Sequence, residues 1–547
     1  MNEHQNLSAN ASQTIINTSE WVNFNWKAIE NRVQFLRYRI FNAAKKQDSP
    51  TTIRLQQLML NSSANILFAI KKITSNNPYQ YLSGIEKIRL YLIQDLMNID
   101  LGIYRPIIYK NLIIPKTSRK QKLLKIQIIK DQCIQLIIKN ALEPQWEAQF
   151  EENLYGARPG RCSHDAIAHA MQIICTDNLK KWVVQADFAQ SLDNLNGEII
   201  LKKLSDFPRI DLILKWLKAG SIHSLNSSYL GFEFVSKDII NSLLINIAFD
   251  DFDKILKRNY STITTKYFYL RYISSLLIFS ESKETAVQDR NLLSLWCKHI
   301  GIQFIYNQIQ IHSLSNGFPF LGIEFSPKRH KNQFMTLLPN QEAQKEIRSK
   351  LKTIWMRGRG KDVQWVLDKL NPRIREWCNY YCFYKSSQVF KDIDNWMFQR
   401  SVRYCKRTHP NKSWTWIQHK YFGRFNAKRN SRWIFGDKET GKYLTRLAWT
   451  SPRRYSPIQI QACPDNIIYR DYWIKRNATG INNNQLWNLS DFKIAQRQNH
   501  ICPICELSLY NHEPIEKHRI IIRKAATQIY PFNMIFVHSM CYQCVKK

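Results

Sequence analysis

At 547 residues and a formal net charge of +36, with a pI near 9.7, the chain has room for about three or four domains and carries charge that suits a polyanion, through phosphate contacts and counterion release. No uninterrupted apolar run reaches the ~18 residues of a spanning helix; Lys130 and Lys139 break the best candidate, so nucleic acid rather than a membrane is the expected partner. Twelve scattered cysteines do not read as a secreted disulfide framework, and nothing points to a small-molecule substrate.

Residues 1–20 are Asn-, Ser- and Gln-rich, without arginine or an apolar core, and read as a disordered polar tail rather than a signal or transit peptide. Heavy use of Ile, Lys and Asn suggests an AT-rich genome, either a plastid or a bacterial cytoplasm. Ile29, Val33, Leu36 and Ile40 recur at helical spacing, and Leu55, Leu58 and Met59 begin a second such face, predicting two basic amphipathic helices. From Lys122 to Leu142 the positions Ile126, Ile129, Cys133, Leu136 and Ile137 fit one face of a long helix. Trp182 to Phe188 reads as a buried strand that delivers the carboxylate of Asp187 at its end. Tyr267–Arg271 and Leu276–Phe279 read as strands joined by a tight turn at Ile273-Ser274-Ser275.

Residues 341–405 return to helical periodicity with Leu351, Ile354, Trp355, Leu367, Leu370, Ile374 and Trp377. Around them Lys and Arg are dense, with Trp, Tyr and Phe interleaved. Helical spacing places most of the nearby tryptophans in the core, leaving few to stack on bases. Asn- and Gly-containing sequence at Thr479–Gln485 reads as a linker. Beyond it, Cys502-Pro503-Ile504-Cys505 and Cys541-Tyr542-Gln543-Cys544 form two C-x₂-C pairs, whose four thiolates suit a structural, tetrahedral Zn²⁺.

The segment Asn153-Leu154-Tyr155-Gly156-Ala157-Arg158-Pro159-Gly160-Arg161-Cys162-Ser163-His164-Asp165-Ala166-Ile167 closely resembles a block of group II intron reverse transcriptases and maturases. Ile114-Pro115-Lys116 and Ala141-Leu142-Glu143-Pro144-Gln145-Trp146-Glu147 precede it in the family's order. Gly317-Phe318-Pro319-Phe320-Leu321-Gly322, the stretch from Leu370 to Tyr381, His409-Pro410-Asn411-Lys412-Ser413-Trp414 and Lys420-Tyr421-Phe422 follow it. The resemblance implies an α+β multidomain fold: right-hand fingers and palm, a helical thumb (the maturase domain X) and a small C-terminal zinc/HNH-like domain. The expected division is the tail over 1–20, a helical RNA-binding extension over 21–100, fingers and palm over 101–335, thumb over 336–450, a basic linker region over 451–490 and a degenerate HNH-like zinc-binding domain over 491–547.

In this family a strand-end Asp and the paired Asp of a YADD turn hold two Mg²⁺, hard ions that need oxygen ligands with matching negative charge. Here Asp187 keeps the first position, but Arg271-Tyr272-Ile273-Ser274-Ser275-Leu276 places Ser274 and Ser275 where the paired carboxylates belong. The family's PQGG stretch reads Val235-Ser236-Lys237-Asp238, and Gln308 stands near an expected lysine. Asp250-Asp251 continues a helical pattern and reads as a solvated helix end. Mg²⁺ is therefore not expected at the palm, and Asp187 reads as vestigial.

Glu516 to Arg523 and Asn533 to Tyr542 resemble a worn HNH endonuclease that keeps His518 and His538 at ligand positions. Arg519 replaces its general base, and a guanidinium cannot accept a proton near neutral pH. The resemblance implies a group II intron maturase that binds intron RNA and assists splicing without polymerase or endonuclease activity; a residually active RNA-directed DNA polymerase is the alternative. The expected RNA contacts are Arg158, Arg161, Arg348, Lys352, Arg357, Arg359, Lys361, Arg373, Arg375, Lys412, Arg424, Lys428 and Arg429, beside Trp355, Trp365, Trp414, Trp416 and Tyr421. Oligomeric state, a homodimer included, stays open.

Overall fold

The computed structural model describes residues 21, 24–75, 84–106, 118–176, 179–189, 195–219, 239–252, 255, 269–302, 309–327, 335–426, 429–478, 489–504, 509, 515–519, 534–538 and 541–542. The expected tail, the Ile114-Pro115-Lys116 strand, Val235–Asp238, Gln308 and the Thr479–Gln485 linker lie outside them.

Apolar residues at helical spacing form α1 (Trp26–Lys45), α2 (Ser49–Leu60), α3 (Ser63–Ser75), α4 (Ile85–Met97) and α5 (Ser118–Glu147). Asn25 caps α1 by accepting from the Ala28 amide at 3.0 Å, and Asp48 caps α2 through the Thr51 amide at 3.1 Å. Val33, Leu36 and Ile40 are buried, as are Leu55 and Met59, but Leu58 is exposed. Its position is one step off the buried stripe, so the second predicted face is narrower than expected. Ile129, Cys133 and Ile137 seat α5 in the same core.

The palm is a five-stranded sheet in the order β1 (Leu154–Tyr155), β3 (Tyr269–Tyr272), β4 (Ser275–Ser280), β2 (Trp182–Asp187), β5 (Ile309–Ser313). Only β1–β3 is parallel. Alternation along β2 and β4 sends Val184, Ala186, Leu276 and Ile278 into a core shared with the N-terminal helices. Val183, Leu277 and Phe279 face the opposite core, shared with the thumb. Helices α6 (Ser163–Thr176), α7 (Gly197–Lys203), α8 (Ile210–Ala219), α9 (Asn241–Ala248) and α10 (Lys283–His299) complete this unit. A second sheet, β6 (Phe318–Phe320), β7 (Ile323–Pro327) and β8 (Met335–Pro339), leads to the thumb.

The thumb comprises α11 (Gln341–Arg357), α12 (Val363–Tyr381), α13 (Ser387–Thr408) and α14 (Trp414–Tyr421), followed by the short pair β9 (Phe422–Gly423) and β10 (Ile434–Phe435). Asn340, Asp362 and Ser413 cap α11, α12 and α14 with their side-chain oxygens. Leu351, Trp355, Leu367, Leu370 and Ile374 are buried as the periodicity predicts. Trp365 is half-buried, while Trp414 and Trp416 are 37% and 36% exposed, so the tryptophan share of the core is smaller than helical spacing suggested.

Residues 451–478 correct the expected linker. Ile458, Ala462, Cys463 and Trp473 are buried, and α15 (Arg470–Ala478) ends the segment. The Ile458 amide donates to Asp165 at 3.0 Å, Arg453 N–H donates to the Cys382 carbonyl at 2.9 Å, and Asp465 pairs with Arg37 of α1 at 2.6 Å. Basic and proline-bearing sequence here forms a strap across N-terminal helices, palm and thumb. Beyond it, α16 (Leu489–Arg497) packs with the antiparallel pair β11 (Ile515–Arg519) and β12 (Met534–His538) in a small separate core.

Candidate palm site and nucleic-acid interface

The two-residue turn Ile273-Ser274 joins β3 to β4, and Ser275 opens β4 rather than sitting in the turn. Ile273 has φ +53°, an unfavourable conformation for a β-branched residue. The turn is held from below. Arg271, fully buried, donates to Asn246 Oδ1 at 3.1 Å and to the Ile273 carbonyl at 3.1 Å, while Asn246 donates to the Gly156 carbonyl at 3.1 Å. Gly156 has φ +74°, and a Cβ there would lie 2.7 Å from Ile273 Cγ1, so only glycine permits this approach.

Asp187 at the end of β2 is exposed and pairs across the ladder with Ser275. Ser274 Oγ donates to Asp187 Oδ1 at 3.5 Å, and the Phe188 amide donates to the Ser274 carbonyl at 2.9 Å. Strand end and turn therefore converge, as the sequence expected. Two Mg²⁺ bring four positive charges, and one carboxylate with two neutral hydroxyls does not fit them. Asp250 is 1% exposed, which corrects the expectation of a solvated helix end; Asp251 forms an ion pair with Lys203 at 2.8 Å.

Arg158 and Arg161 are not surface contacts. Arg158 is 7% exposed and its Nε lies 3.0 Å from Glu147 Oε1. Burial works against its charge, but Glu147 outweighs that and raises its pKa. Arg161 is 5% exposed and donates to the Glu152 carbonyl at 2.8 Å and to the Ile460 carbonyl. Burial, then the charge of Arg158, lowers its pKa to about 10. Arg158 binds the Glu147 carboxylate and backbone carbonyls, Arg161 binds backbone carbonyls, and both side chains are buried rather than presented to a phosphate. The neighbouring His164-Asp165 pair is also structural: His164 Nδ1 lies 2.6 Å from the Tyr384 hydroxyl, and Asp165 meets Arg476 at 3.3 Å. Burial holds His164 down at about 4.

The thumb residues fare differently. Lys352, Arg357, Arg359, Lys361, Arg373, Arg375, Lys412, Arg424 and Arg429 are exposed, and Arg348 is half-buried; Lys428 lies outside the described residues. Lys412 and Lys420 sit 5.5 and 5.1 Å from the Trp416 ring centroid, so cations and an exposed indole share one surface. Sequence reasoning passed over Arg400, Arg403 and Arg407, which the i, i+3, i+7 spacing on α13 could have revealed.

At the C-terminus, one ligand atom from each of Cys502, His538 and Cys541 lies within 4.8 Å of the others. Cys502 and His538 are fully buried. Thiolate and imidazole donors at this separation suit a tetrahedral Zn²⁺. Cys505 and Cys544 lie outside the described residues. His518 pairs with Ile535, one step out of phase with His538, so the two histidines occupy opposite faces of the β11–β12 ribbon. That corrects the expectation that they act as joint ligand positions. Sequence reasoning named the cysteines from their spacing and His538 from the HNH resemblance; the structure brings His538 together with Cys502 and Cys541.

Three family models cover successive parts of this architecture. Residues 21–96 match the N-terminal domain of reverse transcriptase, 114–325 the reverse transcriptase (RNA-dependent DNA polymerase), and 344–422 the group II intron maturase-specific domain. The chain belongs to the group II intron-encoded reverse transcriptase/maturase family. Protein YkfC of Escherichia coli (strain K12) is 27% identical over 226 residues, 38% of this chain and 59% of that protein. Maturase-like protein 1 of Euglena longa is 24% identical over 400 residues, 69% of this chain and 80% of that protein. The group II intron-encoded protein LtrA of Lactococcus lactis subsp. cremoris is 29% identical over 178 residues, 31% of this chain and 28% of that protein. The match thus spans little more than half of YkfC and under a third of LtrA. The palm turn of this chain carries Ser274 and Ser275, and among the described residues no helix is long and apolar enough to cross a membrane.

Proposed function

We propose that this chain is a group II intron maturase that grips folded intron RNA and assists its splicing, without synthesising DNA or cutting it. The observation that carries this reading is the thumb. The maturase-specific match coincides with the stretch whose basic residues are exposed and interleaved with accessible indoles, the side chains that phosphates and unpaired bases require. The serine-bearing palm turn supports the loss of polymerase chemistry, and Arg519 in place of a general base supports the loss of cleavage. Maturase-like relatives in Euglena fit an organelle-encoded origin, in keeping with the Ile, Lys and Asn usage.

The C-terminal core is proposed to hold one structural Zn²⁺ through Cys502, His538 and Cys541, with Cys505 or Cys544 as the fourth ligand. When bound, the metal would staple a unit too small to be held by its apolar contacts alone. Elemental analysis should find about one zinc per chain. Cys541→Ser should lose it and leave thumb-dependent RNA binding in place.

The maturase reading is tested by affinity for the host intron transcript against an unrelated structured RNA at two salt concentrations, alongside a splicing assay. Selective binding that persists at the higher salt and accelerates splicing supports it. Equal binding to both RNAs, collapsing with salt and without effect on splicing, rejects it. A second reading, residual polymerase activity, draws on the intact approach of Asp187 to the β3–β4 turn; primer extension with Mg²⁺ or Mn²⁺ decides it.

A further inference from the structure

Between the C-terminal end of α11 and the outer face of α13 lies a cleft of about 380 Å³. Arg400, Arg403 and Arg407 line one wall at i, i+3, i+7 spacing, and Arg359 reaches in from the turn that follows α11. That turn is shaped by Gly360 at φ +73°, with open space where a side chain would stand. The floor is the buried indole of Trp355, fixed by Tyr404 and Phe435 rings at 5.6 Å each and by its own N–H donating to Met397 Sδ at 3.5 Å. The floor of the cleft is thus part of the packed thumb core.

Its electrostatics are unbalanced. Among the described residues no carboxylate lines the cleft, and none of these four guanidiniums has a carboxylate partner. Arg400 lies with its guanidinium 5.0 Å from the Trp396 ring centroid, and its buried Nε has no hydrogen-bond partner among the described residues. Partial burial, then the charges of Arg403 and Arg407, pulls its pKa down. A folded protein that gathers like charges around an unfilled donor holds an arrangement that an anion relieves. Arginine forks match phosphate oxygens in pairs, and a cleft of about 380 Å³ has room for a group of nucleotide size.

We propose that this cleft is an RNA-backbone subsite of the thumb, taking the phosphates of an unpaired intron stretch between Arg359 and the Arg400–Arg403–Arg407 wall. It rests on the RNA-binding reading above and sharpens it to one place and one ligand chemistry. The test compares the full chain with Arg403→Gln/Arg407→Gln and Arg403→Lys/Arg407→Lys, both at exposed positions. Dissociation constants for the host transcript and for an unrelated structured RNA are measured across a salt series, with thermal unfolding of each variant as the folding control.

Removing two phosphate contacts on single-stranded RNA should flatten the plot of log affinity against log salt by about 1.4, at ~0.7 per contact. It should also weaken binding roughly tenfold or more at physiological salt. The lysine variant should keep most of the slope. An unchanged slope in a folded glutamine variant overturns the subsite. So does a folded glutamine variant that keeps its RNA affinity but loses binding to poly-glutamate, titrated in parallel, which would assign the cleft to an acidic protein segment. The two readings fail differently: a wild-type chain that binds both RNAs alike rejects the maturase role, yet the slope on either RNA still reports on the cleft.

Discussion

Asp187 stands directly opposite Ser275 in the β2–β4 ladder, with Ser274 Oγ 3.5 Å from its carboxylate. The turn thus sets neutral serine hydroxyls beside the one carboxylate at this strand end. Ser274→Asp/Ser275→Asp should therefore create a divalent-cation site. We expect Mn²⁺ binding, followed by electron paramagnetic resonance, to tighten by at least about tenfold over the wild type. Three converging carboxylates without an ion should lower the melting temperature, and Mn²⁺ should restore it. Equal Mn²⁺ binding by both proteins would show that the turn has drifted out of metal geometry.

What sequence alone could read here follows from locality. The β3–β4 hairpin announced itself through two apolar runs flanking a tight turn, and its meeting with Asp187 followed from the order of the family's motifs. Arg158 and Arg161 were misread because in a chain of net charge +36 an arginine beside glycines looks like a phosphate ligand. Their real partners, Glu147 and the Ile460 carbonyl, are set by packing. The strap over 451–478 was misread for a similar reason. Pro452, Pro457 and Pro464 with basic neighbours resemble a linker, while the contacts that fix the segment lie with residues some 300 to 430 positions away.

Arg37 and Asp465 form one of the longest-range of those contacts. The guanidinium donates Nε to Oδ1 at 2.8 Å and a terminal nitrogen to Oδ2 at 2.6 Å, and the same terminal nitrogen meets Glu143 Oε2 at 2.8 Å. Burial opposes the charge, but Asp465 and Glu143 raise the arginine above its usual pKa. Breaking one side leaves a buried charge uncompensated, so Asp465→Asn should cost about 3–5 kcal/mol in urea unfolding. Arg37→Met/Asp465→Leu should cost less than the sum of its single changes, because neither charge is then left alone. Additive losses would mean that the two side chains act independently.

Asp289 on α10 gives a pH-dependent stability term of known sign. It is 3% exposed and accepts from Ser280 Oγ at 2.7 Å, and burial, opposed by Lys180, raises its pKa to about 7. Its ordinary value is 3.8. Between the two, the folded state binds the proton more tightly than the unfolded chain, so the contribution is full below the lower value and is lost as pH rises through about 7. Buried histidines such as His164, held down at about 4, slope the opposite way. The informative quantity is therefore the difference between wild type and Asp289→Asn. From pH 4 to pH 8 that difference should shift in favour of the variant by on the order of 1–3 kcal/mol. A difference that stays flat across this range would place Asp289 in contact with solvent.

Gly160 and Trp473 offer a direct test of the strap. Gly160 lies in the turn before α6 with φ +72°, and the indole of Trp473, 7% exposed, rests where a Cβ would stand. Alanine at 160 meets two penalties: a left-handed backbone that L side chains resist, and overlap with a ring wedged between strap and palm. Gly160→Ala should destabilise the chain by about 2–4 kcal/mol. Trp473→Ala removes buried ring contacts and should cost about 3–5 kcal/mol. Combined, they should cost less than their sum, because without the indole the added methyl finds room and only the backbone penalty remains. Strict additivity would separate Gly160 from the ring and leave the strap to its polar contacts, among them those of Asp165, Arg476 and Asp465.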